Sequence, residues 1–415
     1  MRLKVSHTKV LSDAQIVITG SKSESNRLLI LQALFDNLTI DNVSNSDDAA
    51  VMQKALASSS KTVNIHHAGT AMRFLTAYFA IQEDREIILT GSSRMQERPM
   101  GILVEALCSL GADISYVKND GFPPLHILGK SIQAKKVSLQ ANVSSQYISA
   151  LMLIGAALPE GLEIHLEGKI TSIPYIEMTL SLLLDVGIKG TFQNQIITIE
   201  PAGKKLPSKR VVVESDWSSA SYYFSIVAIA RTLENTSASV QISSFKAQSL
   251  QGDAVLRSIY KQLGVHSEII EHQLHLSLLK DFELPKHITL DLAKSPDIAQ
   301  TIAVTCLGLG ISCDLTGLHT LKIKETDRLE ALREEISKLG GKITVTNDSL
   351  YLKAQEAPIK SDVSIATYHD HRMAMAFAPL ALLKPIIIED AGVVSKSYPD
   401  FWEDLETVGF RTTTI

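Results

Sequence analysis

Five segments set the architecture: RPMGILVEALCSLGADI (98–114), YIEMTLSLLLDVGIKG (175–190), GDAVLRSIYKQLGVHSEI (252–269), TDRLEALREEISKLGGKI (326–343) and YPDFWEDLETVGFR (398–411). Each is an amphipathic helix pattern that stops at a glycine, and those glycines fall at 111, 187, 264, 340 and 409, an almost constant interval. Glycine in that place is the expected residue after a helix, because only glycine enters the left-handed conformation without a steric penalty. DDAAVMQKALASS (47–59) is a sixth, shortened copy without the glycine. A repeat of this length marks stacked copies of one supersecondary unit.

A second helix type precedes each of these. It opens on small polar residues at Ser23, Gly69, Ser144, Asp216, Ser295 and Asp370 and continues as an Ala-rich, almost uniformly apolar body such as YYFSIVAIA or MAMAFAPLALL. A helix apolar on all sides belongs inside a core. Short β-type runs lie between the helices: AQIVITG, EIILTG, LEIHLEG, QIITIE, SVQIS, HITLDL and KITVTN. Six units of one buried helix, one half-exposed helix and several strands divide into three plus three, with a seam near 214–216. The predicted class is α/β, in two similar domains. The strand before Gly20 precedes the first unit and could join either half.

The chain has 415 residues, 45% of them hydrophobic and 20% charged, which is globular composition. A net charge of −5 argues against a non-specific nucleic-acid coat. No apolar run is long enough to span a membrane, and the N-terminus lacks the apolar core of a secretory signal. The predicted location is therefore cytoplasmic. Three cysteines, at 108, 306 and 313, are too few for a disulfide framework, and their apolar surroundings predict buried thiols. A GxxxxGK[ST] loop, a GxSxG elbow, CxxC and HExxH are all absent from the sequence, and the histidines do not fall at ligand spacings, so no metal site is expected.

Cations recur at the openings of the buried helices. Lys22 and Arg27 stand in GSKSESNR, Arg73 in GTAMR, Arg94 and Arg98 in RMQERP, Lys324 and Arg328 in KETDR, Arg372 in DHR and Lys396 in KSYPDF. For a single opening, a capping Ser or Asp and a solvated Lys are sufficient explanations. Several guanidinium groups beside helix N-termini instead indicate clamps for phosphate and carboxylate.

The set GSKSESNR, AGTAMR, RMQERPM, SSQYISALM, SDWSSASY, SPDIAQT, KETDR, DHRMAMAF and KSYPDF, in that order from Gly20 to Phe401, resembles the EPSP synthase family of enolpyruvyl transferases. The resemblance implies two domains, each of three βαβαββ units, with the active site in the interdomain cleft. It places domain one at 1–20 and 215–415 and domain two at 21–214. It implies transfer of the enolpyruvyl group of phosphoenolpyruvate to the 5-hydroxyl of shikimate 3-phosphate, by addition and elimination and without a cofactor, in a monomer whose partners are its two small-molecule substrates.

Carried over by motif, Lys22, Ser23, Arg27, Ser144, Ser145, Gln146, Ser172, Tyr175, Asp297 and Lys324 would bind shikimate 3-phosphate. Lys22, Gly69, Arg98, Gln146, Arg328, Arg372 and Lys396 would bind phosphoenolpyruvate, the site for which glyphosate competes in that family. Asp297, with Lys22 adjacent, would take the hydroxyl proton. Glu325, supported by His371, would protonate the enol methylene, which requires burial to outweigh the opposing charge of Lys324. The chain departs from the family pattern at Glu24, His67 and Phe74. Two other readings stay open at this stage. One is a UDP-N-acetylglucosamine enolpyruvyl transferase, disfavoured because RMQERPM has no Cys. The other is a non-catalytic metabolite-binding homologue, disfavoured because Asp297, Glu325 and Lys396 are all present.

Overall fold

The computed structural model describes every residue except 8–12, 141–143, 169, 171–172, 204–205, 234–236 and 356, and the side chain of Ile323. The chain forms two compact units, one of Met1–Thr19 with Glu214–Ile415 and one of Gly20–Val213. Both are α/β and both repeat a βαβ-type element.

In the first unit, Ala14–Ile16 lies parallel to Ser239–Ser243, which continues antiparallel into Gln273–Leu278 and Val265–Ile270. The sheet of His287–Asp291, Ser312–Thr316, Leu350–Lys353 and Lys342–Val345 has the same order, and so does that of Val363–Ile365, Ile386–Ile388, Leu3–His7 and Phe410–Thr414. A parallel pair requires a crossover. Here the crossovers are the buried helices Trp217–Ala230, Ala299–Leu309 and His371–Phe377. The N-terminal segment thus supplies one strand to each of two sheets, and the strand before Gly20 joins this unit.

In Gly20–Val213, the sheets Thr62–Asn64, Glu86–Thr90, Leu125–Leu128, Asp113–Tyr116 and Lys136–Gln140, Leu162–Glu167, Ile196–Ile199, Gly190–Gln193 repeat that order. Among the described residues the third sheet is only a parallel pair, Leu38–Asp41 with Lys209–Val212. The buried helices here are Lys22–Leu34, Gly69–Ala80 and Ser145–Gly155. Every residue of Gly69–Ala80 is buried. In Trp217–Ala230 Ser218 alone escapes burial. The closing glycines 111, 187, 264, 340 and 409 have φ of +105°, +92°, +81°, +100° and +101°.

Three of the six helix openings are capped as their sequence suggests: Ser144, Asp216 and Asp370 accept from the backbone N–H of Gln146, Ser219 and Arg372. Ser23 lies inside its helix, and Ser295 stands at the cap position of its turn without a side-chain cap bond. One expectation fails. Cys306 and Cys313 are buried, but Cys108 is exposed. On Gly101–Ser109 the inward stripe is Leu103, Val104, Ala106 and Leu107, and position 108 turns to the solvent side. Among the described residues no helix is long and apolar enough to cross a membrane.

The boundary at Glu214 is itself built. Its buried carboxylate accepts from the Trp217 indole N–H at 2.8 Å, the Lys246 N–H at 3.0 Å and the Ser249 hydroxyl at 2.7 Å. Burial still pushes its pKa up against those three bonds.

Candidate active site

In the unit of Met1–Thr19 and Glu214–Ile415 the site is organised by Arg328. It opens the helix Arg328–Lys338, whose first N–H groups are capped by Asp327, and its side chain is 2% exposed. Its Nε–H donates to Asp370 Oδ2 at 2.6 Å, one terminal nitrogen to Asp297 Oδ1 at 2.8 Å and the other to Glu325 Oε2 at 2.8 Å. Three carboxylates from three separate segments therefore converge on one guanidinium. Desolvation would lower the Arg328 pKa, but Asp370, Glu325 and Asp297 overcome it and raise it.

Asp297 is shared further. Lys324 Nζ and an Arg372 terminal nitrogen each lie 3.5 Å from its carboxylate. Arg372 also donates to the Asp297 backbone carbonyl at 3.1 Å. Asp370 holds the Arg372 N–H at 2.8 Å, and its other neighbour, His371, is buried with Nδ1 4.0 Å away. Lys396 Nζ donates to the carbonyl of His369 at 2.7 Å, which brings that cation to the same corner. The predicted residues Asp297, Lys324, Glu325, Arg328 and Arg372 are thus one connected cluster, with His371 beside its member Asp370 and Lys396 on the carbonyl of the preceding residue, His369.

Sequence reading overlooked Asp253 and Ser218 in this cluster. The Ser218 hydroxyl donates to Asp253 Oδ2 and lies 3.4 Å from an Arg372 terminal nitrogen. The Asp253 carboxyl is pushed up to about 6, first by desolvation and then by the Asp297 charge, against the pull of Arg372 and Ser218. In the sequence this Asp looks like an ordinary first-turn acid after Gly252. Only its distance from Arg372 in space marks it.

In Gly20–Val213 the organising side chain is Arg27, 2% exposed. Its Nε–H donates to Thr179 Oγ1, and its terminal nitrogens donate to the Ser23 carbonyl and to Ser149 Oγ, all at 2.8 Å. The guanidinium carbon sits 5.4 Å from the ring centroid of Phe74 and 5.6 Å from that of Tyr175. Desolvation lowers the Arg27 pKa to about 10, with Tyr175 and Glu24 opposing. Two of the departures noted in the sequence, Glu24 and Phe74, therefore both act on Arg27. Lys22 and Ser23 form the first turn of the same helix.

Gly69 opens the neighbouring helix, and a Cβ placed on it would lie 2.4 Å from a terminal nitrogen of Arg98. Arg73 stands behind, donating to the Gly69 carbonyl at 2.9 Å. Desolvation first, and Arg98 second, lower the Arg73 pKa to about 10. Gln146, on the helix capped by Ser144 that begins at Ser145, donates to Thr70 Oγ1 at 3.1 Å. His67, just before this opening, has Nε2 3.5 Å from Asp47 Oδ2. Lys22, Ser23, Arg27, Gly69, Arg98, Ser144, Ser145, Gln146 and Tyr175 thus gather at the N-terminal ends of packed helices. Ser172 lies outside the described residues. Among the described residues no group of three or more His, Cys, Asp or Glu is arranged to hold a metal ion.

Residues 52–405 match the family described as EPSP synthase (3-phosphoshikimate 1-carboxyvinyltransferase). The chain belongs to this family. A 3-phosphoshikimate 1-carboxyvinyltransferase of Bacteroides fragilis strain YCH46 is 44% identical over 407 residues, covering 96% of this chain and 95% of that protein. An EPSP synthase structure from Acinetobacter baumannii superposes with a TM-score of 0.79 at 21% identity, covering 100% of both chains. The enolpyruvyl transferase NikO of Streptomyces tendae superposes with a TM-score of 0.72 at 15% identity, covering 100% of this chain and 99% of that one. The last two likenesses concern the fold.

Proposed function

We propose that the two clusters serve one reaction at one site to which both units contribute: enolpyruvyl transfer from phosphoenolpyruvate to the 5-hydroxyl of shikimate 3-phosphate, with release of phosphate. On this reading each unit is three βαβαββ copies, and the site lies in the cleft between the units. The activity follows from membership of the family. The assignment of roles rests on one observation, that Asp297 and Glu325 are both held on the guanidinium of Arg328.

Lys22, Ser23, Arg27, Ser144, Ser145, Gln146 and Tyr175, with Ser172 and Lys324, bind shikimate 3-phosphate. Arg98 over Gly69, with Lys22, Gln146, Arg328, Arg372 and Lys396, binds phosphoenolpyruvate. Both substrates carry phosphate and carboxylate, and arginine forks match both groups in bidentate fashion.

In addition, Asp297 accepts the proton of the 5-hydroxyl as its oxygen bonds to C2 of phosphoenolpyruvate, and Glu325 delivers a proton to C3, converting the methylene to a methyl. In elimination the C2–O bond to phosphate breaks, the departing phosphate takes up the proton held by Asp297, a C3 proton returns to Glu325 and the double bond re-forms. In the free protein the Glu325 carboxylate is engaged with Arg328. On this reading a substrate carboxylate that takes the Arg328 fork releases Glu325 for proton transfer. His371, buried with Nδ1 4.0 Å from the Asp370 carboxylate, supports Glu325 on this reading.

Arg98→Ala from one unit and Arg372→Ala from the other test the shared site. Each should raise the KM for phosphoenolpyruvate at least about tenfold, the worth of one hydrogen bond to a charged group. The KM for shikimate 3-phosphate should change far less. An unchanged phosphoenolpyruvate KM in either variant contradicts a site built from both units.

A further inference from the structure

We propose that Asp253 is a positioning residue for the donor substrate, acting through Ser218 on the guanidinium of Arg372. This rests on the assignment of Arg372 to phosphoenolpyruvate made above.

Arg372 is less firmly held than Arg328. Among the described residues its buried Nε has no hydrogen-bond partner. One terminal nitrogen donates to the Asp297 carbonyl at 3.1 Å, and the other lies 3.5 Å from the Asp297 carboxylate and 3.4 Å from Ser218 Oγ. Ser218 is thus the hydrogen-bond partner of the fork that does not belong to Asp297, and it shares its nitrogen with the longer of the two Asp297 contacts.

A hydroxyl has one proton to give. Here it goes to Asp253 Oδ2, so the lone pairs of Ser218 are the part turned toward Arg372. Were that proton not claimed, the hydroxyl would be free to point it at the cation. Asp253 also adds charge directly: with Asp297, Tyr222 and Asp216 it raises the Arg372 pKa against desolvation.

The carboxylate is presented rigidly. Asp253 sits on the short turn Gly252–Val255. Gln251, just before it, accepts from the Trp217 N–H at 2.9 Å and donates to the Ser215 carbonyl at 3.0 Å. The turn is thereby bolted to the start of the helix that carries Ser218. On that helix Ser218 is the residue left unburied, as an anchor facing a ligand site must be.

The test is steady-state kinetics, varying each substrate in turn, on Asp253→Asn, Asp253→Ala, Ser218→Ala and Asp253→Ala/Ser218→Ala, with Arg372→Lys as the control. Asp253→Ala and Ser218→Ala should each raise the phosphoenolpyruvate KM by roughly fivefold to tenfold, the partial loss of a hydrogen bond to a charged group. The shikimate 3-phosphate KM should stay within about twofold. Asp253→Asn, which keeps the acceptor but not the charge, should fall between wild type and Asp253→Ala. The double variant should fall well short of the product of the two single effects, because both act chiefly through the Ser218–Arg372 contact.

Additive losses would overturn the proposal by placing Asp253 directly on the substrate. Equal rises in both KM values with a lowered Tm would overturn it by making the role structural. An unchanged phosphoenolpyruvate KM in Asp253→Ala, with a raised one in Arg372→Lys, refutes the proposal alone. An unchanged value in Arg372→Lys refutes the assignment of Arg372 and the proposal with it.

Discussion

Gly69→Ala isolates the geometry of the donor site from its charge. The added Cβ would lie 2.4 Å from an Arg98 terminal nitrogen, 3.1 Å from the Arg98 guanidinium carbon and 3.1 Å from an Arg73 terminal nitrogen. Ordinary contact begins near 3.4 Å, so the Arg98 fork must retreat by about 1 Å. Arg73 has no room to absorb the strain, being buried and tied to the Gly69 carbonyl. Arg98 is partly exposed, and its tip can swing. Gly69 is the first residue of its helix, and alanine there gains roughly 0.5–1 kcal/mol in chain entropy, which offsets the steric cost. The folded state should therefore hold, with Tm within a few degrees of wild type.

Binding should not hold. A 1 Å displacement of a positioning group costs between about tenfold and a hundredfold. The expected result is a rise of that size in the phosphoenolpyruvate KM, with the shikimate 3-phosphate KM nearly unchanged, measured by continuous phosphate-release kinetics with a thermal melt alongside. A wild-type phosphoenolpyruvate KM in Gly69→Ala would refute the placing of Arg98 over a substrate anion at this helix opening.

Glu325→Gln should lower kcat by about 10²–10⁴, the range of a lost general acid, with both KM values changed much less; a fall under tenfold in single-turnover kinetics would remove Glu325 from the proton transfer. Arg328→Met leaves Asp297, Glu325 and Asp370 facing one another, and urea unfolding at pH 7 should show a loss of about 3–5 kcal/mol. A loss under about 1 kcal/mol would contradict the cage.

Asp404, raised to about 6 first by desolvation and then by its neighbours Asp400 and Glu403, has a folded pKa above its unfolded one. Its stabilising contribution is therefore full below about pH 4 and is lost as pH rises through 6. Because the group is partly exposed, Asp404→Asn should stabilise by only about 1 kcal/mol at pH 8 and by nothing at pH 4, read as Tm at the two pH values.

The features legible in the sequence were those governed by local rules. A left-handed residue after a helix is a steric demand that few side chains meet, so the glycines at 111, 187, 264, 340 and 409 declare five helix ends directly, and all five have positive φ. Uniformly apolar bodies such as YYFSIVAIA are core helices for the same reason, since no face of them suits water. Pairing between distant segments leaves no such local mark. Leu3–His7 reads as a short polar run, yet it pairs on both sides, with Ile386–Ile388 and Phe410–Thr414.

The site divides along the same line. Cations at helix openings were visible because Arg in a capping motif is unusual chemistry. The convergence of Asp297, Glu325 and Asp370 on Arg328 is a product of the fold. So is the stacking of Phe74 on Arg27, which in sequence is one more apolar residue in a buried helix. Asp253 stayed hidden because an acid in a first turn already has a sufficient explanation. Cys108 misled because an apolar neighbourhood in sequence is not an apolar neighbourhood on a helix surface.

Phosphate release from phosphoenolpyruvate by the purified chain, with and without shikimate 3-phosphate, tests the central claim most directly. The account predicts stoichiometric release only when shikimate 3-phosphate is present, with a product heavier than the acceptor by one enolpyruvyl group in the mass spectrum. Release that does not depend on shikimate 3-phosphate, or no release with both substrates at saturation, would contradict it.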